Sequence, residues 1–164
     1  MKKKILIISG GISKERVISL DTGKQVAKEL IKNGYSVKIS EPNFKMIQTI
    51  RSFKPNVIFN ALHGQFGEDG YIQTILESVG IPYTHSGVIP SSKAMDKLIS
   101  KKIFTKNQIL TPKYFDYSYN KSNLDLIKKI QNKRGFPVVI KPINKGSSVN
   151  VFIWTRSKIK KKIN

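Results

Sequence analysis

Val57-Ile58-Phe59-Asn60-Ala61-Leu62-His63-Gly64-Gln65-Phe66-Gly67-Glu68-Asp69-Gly70 decides how this chain is read. An apolar, β-prone run passes directly into a loop with one imidazole, two carboxylates and three glycines in eight residues. Open α/β sheets hold their ligands beyond the carboxyl ends of strands, where such loops emerge. Glycine lets backbone approach a ligand closely, and the polar side chains supply hydrogen bonds and charge. A second reading stays open. Glu68 and Asp69 also stand where the N-cap and first turn of a following helix belong, and His63 suits a structural histidine bonded to backbone.

The flanking elements alternate. Lys4 to Ser9 reads as a buried parallel strand, broken by Ser9-Gly10-Gly11-Ile12-Ser13. Apolar residues at Val17, Leu20, Val26, Ala27, Leu30 and Ile31 predict a helix over 17–33, with Gly34 as its stop. Tyr35 to Ser40 is a second strand. Phe44, Ile47, Ile50 and Phe53 mark one face of a second helix, and Val57 to Asn60 is the third strand. Ile72, Ile75, Leu76 and Val79 predict a helix over 70–79, and Ile81 to Thr84 a short fourth strand. This order predicts an α/β, doubly wound, Rossmann-like domain over 1–92, its parallel sheet covered by helices on both faces.

Beyond it the pattern changes. A long helix is expected over 91–107, a strand over 113–117 and a helix over 124–133. Phe136 to Pro142 and Ser147 to Trp154 read as the two strands of a hairpin, and a further helix starts at Ser157. Residues 93–164 thus read as the start of an α+β domain with little core of its own, and the chain is expected to break off within it.

Composition narrows the classes. The apolar fraction of 39% suits an ordinary core, and no run approaches the ~18 apolar residues of a membrane span. The five apolar residues after Lys2-Lys3-Lys4 fit a first strand better than a signal peptide. With no cysteine there are no disulfides or thiolate metal sites, which favours the cytoplasm. The net charge of +20 is concentrated in residues 97–164, where 17 Lys and Arg face 2 Asp and Glu. That asymmetry suggests an anionic partner. However, Lys outnumbers Arg 26 to 4 beside 24 Ile and 11 Asn, all residues with A/T-rich codons. Readers of nucleic acid favour arginine forks and aromatic platforms, so nucleic acid is disfavoured as a partner.

Four segments carry chemistry. Gly10-Gly11-Ile12-Ser13-Lys14-Glu15-Arg16 is either an anion cradle with Glu15 free to receive an ammonium, or a plain βα turn. The loop quoted above is the second. Lys97, in Met95-Asp96-Lys97, can reach a phosphate as a point charge, or is one solvated lysine among many. Lys141, at the end of Val138-Val139-Ile140 and followed by Gly146-Ser147-Ser148-Val149, fits a nucleotide phosphate site, or is a plain hairpin. It is not a Walker A loop.

Taken in order, these segments resemble the D-alanine–D-alanine ligases of the ATP-grasp superfamily. The resemblance runs through Ser9-Gly10-Gly11, Glu15-Arg16-Val17 and Ser19-Leu20. It continues with His63-Gly64, Gly67-Glu68-Asp69-Gly70, Gln73, Gly80-Ile81-Pro82-Tyr83-Thr84, Ser86-Gly87 and Met95-Asp96-Lys97. It ends with Lys141-Pro142 and Gly146-Ser147-Ser148-Val149. It implies a pre-ATP-grasp domain over 1–92 that binds the first D-alanine, then an incomplete ATP-grasp domain over 93–164. It implies a cytoplasmic ligase of peptidoglycan precursor synthesis that joins two D-alanines through an acyl phosphate. Its cofactors would be ATP and Mg²⁺ or Mn²⁺, and a homodimer is common in the family.

By that resemblance Glu15 holds the ammonium of the first D-alanine and His63 lies beside it. Ser147 joins Glu15 in a catalytic hydrogen-bonded set that closes a lid. Lys97, Lys141 and Ser148 contact ATP. Two features depart from the family pattern. Asn150 stands where glycine is usual, and no Asp or Glu follows Asp125, so this chain carries none of the family's metal ligands. The 164 residues alone are therefore not expected to ligate D-alanine. The alternative is a non-catalytic small-molecule-binding or regulatory module that retains only the first domain.

Overall fold

A computed structural model describes residues 2–117, 123–133, 135–146 and 150–155. The chain forms two compact units, Met1–Asp96 and Lys97–Asn164. No helix among the described residues is long and apolar enough to cross a membrane.

The first unit runs β1 (Lys4–Ile8), α1 (Arg16–Lys32), β2 (Ser36–Ser40), α2 (Met46–Phe53), β3 (Val57–Asn60), α3 (Tyr71–Ser78) and α4 (Val88–Met95). The strands are parallel in the order β2-β1-β3, with Ile7 in register with Ile39 on one side and Phe59 on the other. β1 is central, and its Leu6, Ile7 and Ile8 are fully buried. Alternation sends them to opposite faces. Leu6 and Ile8 pack with Ile58, Met46 and Ile50 of α2, and Ile72 and Leu76 of α3. Ile7 packs with Ala27 of α1 and Ala61. The expected helices on both faces are present.

The topology fixes where a ligand would sit. From β1 the chain moves out to β2, then crosses back over β1 to reach β3. The order therefore reverses between β1 and β3, and their carboxyl ends open onto the crevice where doubly wound sheets bind ligands.

Several local expectations are corrected. Helix α1 does not bury Val17 or Ile31, which are 77% and 59% exposed; it buries Ser19, Gly23 and Ala27. This stripe of small residues at i, i+4 and i+8 brings the helix close to the sheet. Helix α2 starts at Met46, so Met46 and Ile50 face the core and Phe44 is left 84% exposed. The expected fourth strand is a single parallel bridge between Ile58 and Tyr83. The next donor, Asn60 N–H, goes to the Thr84 hydroxyl (3.0 Å), and His85 at φ +79° turns the chain away.

The long helix expected over 91–107 is two helices, α4 and α5 (Lys97–Lys106), separated at Asp96, whose backbone is extended. The second unit continues with α6 (Asn123–Lys133) and an antiparallel pair, β4 (Val138–Ile140) and β5 (Phe152–Trp154), with Val139 opposite Ile153. Leu126 and Ile130 of α6 are its buried apolar residues among those described. Residues 113–117 form no strand. The stretch is held by lysine side chains: Lys101 Nζ donates to the Pro112 carbonyl (3.0 Å) and Lys129 Nζ to the Asp116 carbonyl (3.0 Å). The helix expected from Ser157 lies outside the described residues.

Candidate functional site

Two loops leave the carboxyl ends of β1 and β3 and meet at the switch point. Both glycines of the first have left-handed backbone, Gly10 at φ +91° and Gly11 at φ +79°, which folds the chain sharply toward α1. Ser19, fully buried on α1, joins the loops: its Oγ accepts from Gly10 N–H (2.8 Å) and donates to the Ala61 carbonyl (2.8 Å). Ser13 makes a second link, donating from Oγ to the His63 carbonyl (2.8 Å) while accepting from Glu15 N–H (3.1 Å).

The second loop is closed by its own carboxylates. The N-cap of α3 is Gly70; Asp69, one residue earlier, accepts from Tyr71 N–H (3.1 Å) and from Phe66 N–H (2.8 Å). Glu68 does not cap α3. Its Oε2 accepts from Gly64 N–H (2.9 Å) and its Oε1 lies 3.8 Å from Nδ1 of His63. The Gly67 carbonyl accepts from both Asn60 Nδ2 (2.9 Å) and Gln73 Nε2 (2.8 Å), two buried amides at the end of β3 and on α3.

This frame sets the Glu15 carboxylate against the loop that carries His63. Glu15 is the N-cap residue of α1, and its carboxylate lies directly over Gly64: a Cβ built there would be 2.0 Å from Oε2. His63 is held by Thr22, with Oγ1 3.1 Å from Nε2. His63, but not Glu15, lines a cavity of ≈ 360 Å³, walled by Gly10, Gly11, Ser13 and His63 on its polar side and by Met46 and Ile72 on its apolar side. Small hydrogen-bonding ligands suit such a setting of backbone, hydroxyl, imidazole and apolar wall.

The remaining predicted residues belong to the second unit. Lys97 opens α5, and its Nζ donates to the carbonyls of Ile143 (3.4 Å) and Lys145. It thereby braces the turn after β4. Lys141 follows β4 directly and is exposed. Ser147 and Ser148 lie outside the described residues. Asn150, the departure from the expected glycine, has φ +56°, a left-handed conformation that asparagine tolerates better than most side chains. A metal is not fitted: among the described residues no three His, Asp or Glu side chains gather closely enough to hold one.

Sequence reasoning quotes Ser13 and Ser19 within motifs but gives them no role, and it does not single out Thr22. In a string of letters they are ordinary helix-start polars. The signal available for Ser19 was its place in the small stripe with Gly23 and Ala27. Away from the site, burial and then the Glu77 carboxylate, 2.8 Å away, push the Tyr83 hydroxyl up to about 12. Burial, then Asp125, also raises Tyr117.

Known proteins are similar to this chain in sequence and fold. A family model described as the D-ala D-ala ligase N-terminus matches residues 38–86. The D-alanine–D-alanine ligase of Pelagibacter ubique (strain HTCC1062) is 69% identical over 163 residues, spanning 99% of this chain and 54% of that protein. The crystal structure of D-alanine–D-alanine ligase from Bacillus anthracis superposes with a TM-score of 0.79 at 37% identity, over 98% of this chain and 52% of that one. A crystal structure of D-alanine–D-alanine ligase from Bacillus anthracis complexed with ATP gives 0.75 at 34%, over 98% and 53%. The chain spans about half the length of the curated relatives it matches.

Proposed function

We propose a function from the premise that this chain carries the N-terminal region of the D-alanine–D-alanine ligase family: it supplies the first D-alanine site of an ATP-dependent ligase. That ligase would join two D-alanines through an acyl phosphate, as a step in making peptidoglycan precursors in the cytoplasm. The observation that carries this reading is the Glu15 carboxylate lying over Gly64, next in sequence to His63, which lines a cavity at the sheet's switch point.

The chemistry follows from the groups present. Glu15 offers a carboxylate for the ammonium of an α-amino acid, and the polar cavity wall offers hydrogen bonds for its other end. The first turn of α1 and the tied loops hold these groups in place without needing the ligand to order them. Lys141, with Ser148, would meet the phosphates of ATP as a charge-and-hydroxyl pair. Lys97 would act by bracing the turn that presents them, since its ammonium donates to carbonyls of that turn. Ser147 would take part in holding the bound substrate. ATP supplies the phosphoryl group that activates the first D-alanine's carboxylate; here the task of the chain is to position and to neutralise charge. The residues described do not fit Mg²⁺, and no step is assigned to it.

The test is a titration of the 164-residue chain with D-alanine, followed by heteronuclear NMR. Shifts clustered at Gly10–Glu15 and His63–Gly67, lost in Glu15→Gln, support the reading. Shifts absent at millimolar D-alanine, or unchanged in Glu15→Gln, overturn it.

A further inference from the structure

We propose that Thr22 is a positioning residue that fixes His63 in the Nε2–H form and leaves Nδ1, beside Glu68, as its one basic ring nitrogen. A threonine hydroxyl carries a single hydrogen. On Thr22 that hydrogen is used within α1, donated to the Ile18 carbonyl at 2.9 Å. Oγ1 therefore meets His63 Nε2, 3.1 Å away, as an acceptor, and only an N–H on Nε2 satisfies it. Neutral imidazole has one N–H, so Nδ1 is bare.

The surroundings of Nδ1 then matter. Glu68 Oε1 is 3.8 Å away, too far for a hydrogen bond, and its charge attracts the ring only once Nδ1 takes up a proton. Glu68 cannot drift, because its other oxygen accepts the Gly64 N–H at 2.9 Å. The His63 backbone is fixed in turn by Ser13. A proton added to the ring therefore enters at Nδ1, facing an anchored carboxylate. A small change on α1, one hydroxyl, decides which atom of His63 does acid–base work.

The proposal rests on the D-alanine reading only for its consequence: a substrate beside His63 would exchange a proton or hydrogen bond with Nδ1, never with Nε2. Its test needs no substrate. The chain has two histidines, His63 and His85, so ring ¹⁵N spectra of the whole labelled chain are simple to assign. Above the titration range, His63 should show a bare Nδ1 and a protonated Nε2. Thr22→Val keeps the side-chain shape and removes the acceptor, so the two ring signals should shift toward each other as tautomers mix. Thr22→Ser should restore their separation. His85, whose Nδ1 lies 3.0 Å from Thr84 Oγ1, reports that the variants remain folded.

Two results overturn the proposal: a neutral His63 protonated on Nδ1 in the unsubstituted chain, or a Thr22→Val chain whose Nε2–H form is undiminished. The first needs no variant to fold. Absence of any D-alanine effect on these spectra would count against the substrate reading alone.

Discussion

Glu15 and Gly64 are in contact: the carboxylate occupies the place where residue 64 would carry its side chain, 2.0 Å from an ideal Cβ. Gly64 also has φ +71°. Gly64→Ala is expected to separate two effects. The left-handed backbone should cost about 1–2 kcal/mol of stability. The Glu15 side chain, being flexible, should swing aside at little further cost in stability, taking the proposed ammonium partner with it. D-alanine affinity should fall tenfold or more in the NMR titration, while urea denaturation shows only the modest backbone loss.

Gly23→Ala sets helix propensity against packing. Alanine favours a helix over glycine by about 1 kcal/mol. A Cβ at 23, however, would stand 2.6 Å from both Cβ and Oγ of Ser9, which is itself buried in the sheet. Overpacking of this kind costs about 1–3 kcal/mol, so the clash should win. The urea midpoint should drop with the slope unchanged, and Ser9→Gly in the same chain should recover most of it.

The alkaline limb of stability should depend on Tyr83. Its folded value, about 12, lies above the ordinary 10 because burial and Glu77 both disfavour phenolate. Below pH 10 both folded and unfolded chains keep the proton, and the stabilisation is complete. Between about pH 10 and pH 12 the unfolded chain ionises first, and stability falls. Tyr83→Phe should flatten this part of the stability–pH curve, read by chemical denaturation at pH steps, and should remove a late-titrating tyrosinate from the ultraviolet spectrum.

Supplied with ATP, Mg²⁺ and D-alanine, these 164 residues are expected to release no phosphate that depends on D-alanine. The described residues gather no carboxylate cluster for a metal, and no acidic residue follows Asp125. Charged reactants need such neutralisation to approach one another. A coupled phosphate assay checks this, and D-alanine-dependent release would refute it.

How much could be read beforehand depended on what kind of signal each element carried. Runs with one dominant cause were legible: Val57 to Asn60 is a strand because nothing in it prefers otherwise, and its exit loop was marked by glycines. Phase was harder. Phe44 looked like a core residue by spacing, but the turn before Met46 sets where the helix begins, and that turn is fixed by contacts rather than composition. On α1 the most deeply buried positions, Ser19, Gly23 and Ala27, are small, with Val26 and Leu30 packed beside them, so counting apolar residues finds part of the face but adds the exposed Val17 and Ile31. Ile81 to Thr84 has strand chemistry, yet a side chain, Thr84, takes the donor that a ladder needed. In the site, Glu15 and His63 stood out as charged or titratable groups beside glycines. Thr22 did not, because a hydroxyl's value here lies in where its single hydrogen already points.

The Gly67 carbonyl, gripped by Asn60 from the strand and Gln73 from the helix, makes the His63 loop a wall and not a gate. Swinging it outward would strand two buried amides at about 1–3 kcal/mol each. Its length is thereby locked to the distance between β3 and α3, and an insertion or deletion between Leu62 and Gln73 would be felt in the core before it reached the cavity. Tailoring of this pocket is confined to the identities of its lining side chains, with the course of the loop held constant.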